Sequence, residues 1–244
     1  MGFNLDNTHS GSRVSPVNLH IARGDWNDLS HVNKFGYNAA TSSAFETVTD
    51  AGGTYSYPAT AGTIQLIADD SQDNNSTVEV QGLDENYALQ TVSLTVGGAR
   101  STEQFIRVFR MIVTSANTGD TNVDVINCVH TQPDSTDTTV AKILAGNGQT
   151  LMAVYTIPAG KKAYFYKFQG SQQKDQDTTF RLRARPTGGA FNIKGQWAGR
   201  GGQINYDYPV PLVFEEKTDI EVQVKTGSAS EAGALFDIIL EDRT

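Results

Sequence analysis

Alternation with a period of two dominates this chain. In TTFRLRARP, Phe180, Leu182 and Ala184 take turns with Arg181, Arg183 and Arg185. Successive side chains of a strand point to opposite faces, so this stretch can bury one side and wet the other. A helix would scatter the same residues around its axis. The pattern recurs elsewhere. TIQLIA sets Ile64, Leu66 and Ala68 on one face, and DIEVQVKTG does the same with Ile220, Val222 and Val224. Val78 and Val80 meet Val92, Leu94 and Val96 across a GLDENYA turn, which reads as a hairpin. FIRVFRMIVTSA, residues 105–116, is apolar on both faces apart from Arg107 and Arg110, as expected of a central strand covered on both sides.

The second half repeats the theme. LMAVYTIPAGKKAYFYKF turns at Pro158-Ala159-Gly160, AFNIKGQW and QINYDYPVPLVF flank a glycine-rich AGRGGQ turn, and ALFDIILED closes the chain. Short strands between glycine turns, without a helical pattern of three turns, predict an all-β protein. The expected architecture is two antiparallel β-sandwich or jelly-roll-like domains with an extended N-terminal arm. Residues 1–30 form the arm, carrying spaced apolar Phe3, Leu5, Val14, Val17, Leu19 and Ile21 as candidate contacts to a partner. Residues 31–130 form the first domain and 140–244 the second. The polar, proline-containing stretch at 131–139 is the linker, or else a long loop within one sandwich.

Charge and cysteine content narrow the function classes. A net charge of -8 disfavours nucleic acid and anionic membranes as partners, since phosphate binding needs clustered Lys and Arg. No apolar run reaches membrane-spanning length, and the first residues lack the basic start and apolar stretch of a secretory leader. Cys128 is the single cysteine, so no disulfide can form within the chain.

Arg181, Arg183 and Arg185 have acids available in the opposite phase at Asp207, Asp219, Glu221, Asp237 and Glu241. A mixed-charge sheet face explains them, with cross-strand pairs each contributing roughly 0.2–1 kcal/mol. The sharper reading is a contact surface for an acidic partner. Enzyme signatures are missing: there is no G-x-S-x-G, H-E-x-x-H, G-x-x-x-x-G-K-[ST] or C-x-x-C. Cys128 and His130 share a strand face, which fits a buried cysteine better than a nucleophile. The oxygen-rich loop at 68–77 reads as a solvated turn in preference to a calcium site. Trp197, Tyr206 and Tyr208 pack into a core or stack on sugar rings. No cofactor or metal site is expected.

Four stretches carry a family resemblance: TVEVQGLDENY with its hairpin return, FIRVFRMIVTSANTGDTNVDV, AGNGQTLMAVYTIPAGKKAY and PVPLVFEEKTDIEVQV. They resemble virion structural proteins of tailed bacteriophages, especially marine ones, from about Val32 onwards. The most specific pieces are GQTLMAVYTIPAGK at 148–161 and EEKTDIEV at 215–222. The resemblance implies a non-enzymatic particle component and supplies no site residue. The expected version is a capsid decoration or cement protein, assembled in the host cytoplasm into the virion. Its partners would be major capsid or tail and neck subunits. Closed homo-oligomers are the usual outcome for such proteins, and a trimer suits an icosahedral shell. The alternative is a tail- or fibre-associated adhesion module holding a cell-surface glycan near Trp197, Tyr206 and Tyr208.

Overall fold

A computed structural model describes residues 17–131 and 137–243. The expected arm contacts Phe3, Leu5 and Val14 lie outside the described residues, as do residues 132–136 of the expected linker. In chain order the elements are α1 (Val17–Arg23), β1 (Leu29–Thr41), β2 (Glu46–Thr47), β3 (Gly62–Ala68), β4 (Thr77–Leu83), β5 (Leu89–Thr95), β6 (Gln104–Phe105), β7 (Arg107–Ser115), β8 (Ile126–Thr131), β9 (Thr138–Ile143), β10 (Val154–Thr156), β11 (Lys161–Arg185), β12 (Asn192–Phe214), β13 (Asp219–Thr226) and β14 (Ser230–Asp242). The protein is all-β, with antiparallel ladders throughout.

Three sheets form. The largest has seven strands in the order β1-β14-β11-β13-β10, with β12 also on β11 and β2 also on β13. A four-stranded sheet runs β6-β3-β8-β9, and a three-stranded sheet runs β5-β4-β7. The alternation seen in the sequence decides which faces close. Ile64 and Leu66 of β3, Val78 and Val80 of β4, and Ile126 and Cys128 of β8 are fully buried between the two smaller sheets. Phe165, Phe168, Phe180, Val222, Phe236 and Ile238 fill the inside of the large sheet.

The long strands of the large sheet fold over on themselves. β11 has 25 residues and β12 has 23. β13 and then β14 follow β11 in succession, from Arg185↔Asp219 to Lys161↔Asp242. Fully extended, the chain between Phe168 and Phe180 would span roughly 40 Å at about 3.3 Å per residue. Their ring centroids are instead 5.8 Å apart. The strand therefore bends sharply between them. The bend lies where the β11–β12 register slips between Gln172↔Gly202 and Asp177↔Arg200. Gly201 and Gly202 take φ of 64° and 72° there, a region open to glycine and costly for other residues. The glycine-rich AGRGGQ stretch is accordingly a bend inside one strand and not a turn between two.

Three further expectations change. The segment 131–139 does not separate two sheets, because β8 and β9 on either side of it pair in the same sheet. Nor does the first half keep to itself: β1 pairs with β14 from Leu29↔Glu241 to Thr41↔Ser230. The pairings that connect these segments are long-range. Second, β7 is an edge of its sheet and not a centre. It is apolar on both faces because it stands between two cores: Phe109 packs with the large sheet, Val108 and Met111 with the smaller ones. Third, residues 17–23 are helical and not an extended arm. Ile21 is buried in that helix, whereas Val17 and Leu19 stay exposed.

Candidate interaction site

The arginine face is built by the β11–β13 register. Arg181 stands opposite Gln223, Arg183 opposite Glu221, and Arg185 opposite Asp219. Each guanidinium bonds its cross-strand partner. Arg181 Nε donates to Gln223 Oε1 at 2.8 Å, Arg183 Nε to Glu221 Oε1 at 2.9 Å, and Arg185 Nε to Asp219 Oδ2 at 3.0 Å. Asp219 and Glu221 are themselves buried, at 3% and 2% exposure. Buried carboxylates need several donors. Asp219 also accepts from Arg107 Nε at 2.9 Å and Thr156 Oγ1 at 2.6 Å, and Glu221 from Tyr57 Oη at 3.0 Å.

Aromatic rings from outside the strand lie over this row. Phe45 sits 3.7 Å from the Arg181 guanidinium, Phe191 4.6 Å from both Arg183 and Arg185, and Tyr57 4.6 Å from Arg185. Such cation–π contacts strengthen as water is excluded. Arg183 and Arg185 thus neutralise acids of their own chain, Arg181 bonds a neutral amide, and all three lie under an aromatic cover. Of the other acids in phase, Asp237 accepts from Asn33 Nδ2 at 2.6 Å and Glu241 from Tyr164 Oη at 2.5 Å, while Asp207 stands opposite Lys167.

Trp197, Tyr206 and Tyr208 cluster on β12, with Tyr206 4.7 Å from Tyr208 and 5.8 Å from Trp197 between ring centroids. They do not make an open sugar platform. Trp197 lies flat on buried Phe168, 4.1 Å away with the planes at 12°, and Tyr208 meets Phe165 edge-on at 5.7 Å. Both rings are turned to the core, and only Tyr206 keeps substantial exposure, at 41%. The opposite edge of β12 is different. β12 pairs with β11 along one edge, and no described strand pairs with the other. Ile193, Val210 and Val213 on this strand are 53%, 78% and 52% exposed.

Cys128, His130 and Asp73 are each held by their surroundings. Burial pushes the Cys128 thiol up to about 12, and His130 bonds the Phe105 carbonyl at 2.7 Å. A thiol held protonated in this way is a poor nucleophile. In the acidic loop, buried Asp73 accepts from the backbone amides of Val123 at 2.7 Å and Asp124 at 2.8 Å, so it ties two loops together. No group of three or more His, Cys, Asp or Glu among the described residues is arranged to hold a metal.

Sequence reasoning missed two buried ionisable side chains, Lys34 and Asp50. Asn38 bonds Glu46 at 3.1 Å, and a side chain at Gly36 would run into the Val48 carbonyl. The next step of this facing order sets Lys34 towards Asp50. Lys34 is 3% exposed and donates to the Phe109 carbonyl. Burial, with Arg110 nearby, holds its amine well below the usual lysine range. Asp50 is 6% exposed, and burial raises its carboxyl to about 7. Its Oδ2 accepts from the Leu151 amide at 2.9 Å while Oδ1 has no partner. The only sequence signal was a lysine at an inward position of an alternating strand.

No protein-family model and no curated protein matches the chain. Among solved structures, a chain from the atomic structure of Sulfolobus Turreted Icosahedral Virus is 12% identical, with a TM-score of 0.18, over 88% of this chain and 93% of that one. A chain from infectious bursal disease virus Gx strain is 8% identical, with a TM-score of 0.21, over 87% and 75%. One from the VP2 subviral particle of that virus is 10% identical, with a TM-score of 0.19, over 89% and 77%. Superpositions this loose carry no argument about what the present chain does.

Proposed function

We propose that the chain is a non-enzymatic structural component of a virion, in its preferred form a capsid decoration or cement protein of a tailed phage. The observation that carries the reading is β12, a strand of 23 residues with one edge free of any described partner. Such an edge presents a row of backbone donors and acceptors ready to pair with another chain. Exposed Ile193, Val210 and Val213 add apolar area along it. Pro209 and Pro211 remove two donors, which restricts pairing to the part of the strand before them. The sequence resemblance to phage virion proteins supports the same reading. So does a chain whose buried Asp219 and Glu221 are paired within the chain, with no disulfide to rely on. The partners are neighbouring capsid subunits and further copies of the chain, a trimer being the preferred assembly. The segment before Val17, with Phe3, Leu5 and Val14, is the candidate tether to the particle.

Gold-labelled antibody imaging of purified particles tests this. Label over the shell supports decoration, and label confined to tail or fibres supports the adhesion alternative. Absence of label from particles overturns both. Native mass spectrometry checks the assembly: a discrete oligomer is expected, and Gln203→Pro on β12 should convert it to monomer.

A further inference from the structure

On the outer face of the large sheet, β1, β14, β11 and β12 run side by side. The register aligns two rows across them, Phe35–Leu235–Gln169–Asn205 and Tyr37–Gly233–Ser171–Gln203. In the second row Gly233 and Ser171 are small and their neighbours are large, so the sheet surface dips. Two adjoining depressions of about 310 and 290 Å³ share Ser171, Gln203 and Gly233. The dip is tight at its floor, where a side chain at Gly233 would come within 2.9 Å of Ser171 Oγ.

The lining has a definite chemistry. Neither depression is lined by Lys, Arg or His. Its one carboxylate, Glu231, accepts from the Tyr37 hydroxyl, and burial with that bond pushes the phenol up to about 12. The Gln169, Gln203 and Asn205 amides take part in no hydrogen bond within the described residues. Each amide offers both donors and an acceptor, as a sugar hydroxyl also does. Tyr37 and Phe35 are half-buried and line the depressions from the opposite side, across β14, supplying apolar ring surface for C–H groups. An anion would find no cation here and would meet a carboxylate.

We propose that this groove binds an uncharged saccharide, on the face opposite Trp197 and Tyr208. Amides reach its hydroxyls from β11 and β12, and the rings of β1 hold its apolar side. The proposal does not rest on the virion reading, and its failure leaves that reading standing.

The test is ligand-observed NMR on the intact protein with uncharged gluco-, galacto-, manno- and N-acetylglucosamine oligosaccharides, beside sialylated and uronic-acid oligosaccharides. At least one uncharged oligosaccharide is expected to bind with a Kd of about 1 mM or tighter. Gln203→Ala with Asn205→Ala should weaken it about tenfold, the loss expected for two direct hydrogen bonds. Ser171→Trp, which fills the groove from an exposed position, should abolish it. Circular dichroism confirms that each variant is folded, and Gln196→Ala on the same strand outside the groove serves as the unaffected control. No binding by any uncharged oligosaccharide at about 10 mM, binding of acidic ones only, or binding that survives both variants overturns the proposal.

Discussion

Asp219 is the residue on which most depends locally. It is 3% exposed and holds Arg107 and Arg185 on its two carboxylate oxygens. Removing one member of a buried ion cluster leaves the others desolvated and unpaired, which costs about 3–5 kcal/mol. Asp219→Ala should lose stability of that order in urea unfolding, whereas Arg181→Ala, whose partner is the neutral Gln223, should lose clearly less. Asp50 gives a pH signature. Its folded carboxyl titrates near 7, above the ordinary range, so the folded state prefers the neutral acid. That contribution is complete below the unfolded pKa of about 4 and is lost as pH rises through about 7. Asp50→Asn should therefore gain in Tm relative to the parent between pH 6 and pH 8; a constant difference would show that the carboxyl stays ionised. That Arg183 and Arg185 face acids of their own chain was legible, with Asp219 and Glu221 among five candidates, since alternation fixes which side chains share a face; which strand supplies the partners was not. The cover of Phe45 and Tyr57, and the burial of Lys34 and Asp50, was not. These contacts depend on where residues 42–61 cross the sheet, and period-two patterning says nothing about that.

At the scale of the element, the bend in β11 and β12 is the determining feature. Gly170 makes close approach possible, because a side-chain carbon there would stand 2.9 Å from the Phe180 ring. Gly170→Ala should cost about 1–3 kcal/mol by overpacking. Gly201→Val should cost at least roughly 1–2 kcal/mol, since φ there is 64° and valine strongly disfavours it. Chemical denaturation of both variants checks this, and an unchanged midpoint for Gly201→Val would mean that the strand bends elsewhere. The flanking segments of β11 and β12 were legible in the sequence, down to the inward residues Phe180, Leu182 and Ala184. Their fusion into longer strands was not, because glycine marks a bend within a strand and a turn between strands with the same signal. The helix α1 was missed for a similar reason: seven residues give too little periodicity to count.

At the scale of the whole molecule, the two cores are joined by shared strands. β7 sends Phe109 to one core and Met111 to the other, and β10 does the same with Tyr155 and Val154. Scanning calorimetry should show one unfolding transition. A fragment of residues 140–244, which lacks β1, should show no cooperative transition, and two separate transitions in the intact chain would mean that the cores are independent. The all-β class was legible because alternation is local. The partition of strands among sheets was not, because it is decided by pairings such as Leu29↔Glu241 that join distant parts of the chain.

That pairing also sets an order in time. β1 emerges from the ribosome long before β14, its only ladder partner among the described residues. Until then its backbone donors and acceptors on that side wait unpaired. Folding dominated by such distant closures is slow, on the order of milliseconds to seconds. The nascent chain is most prone to aggregate in this interval, so a chaperone that retains it until translation passes Asp242 should raise the soluble yield.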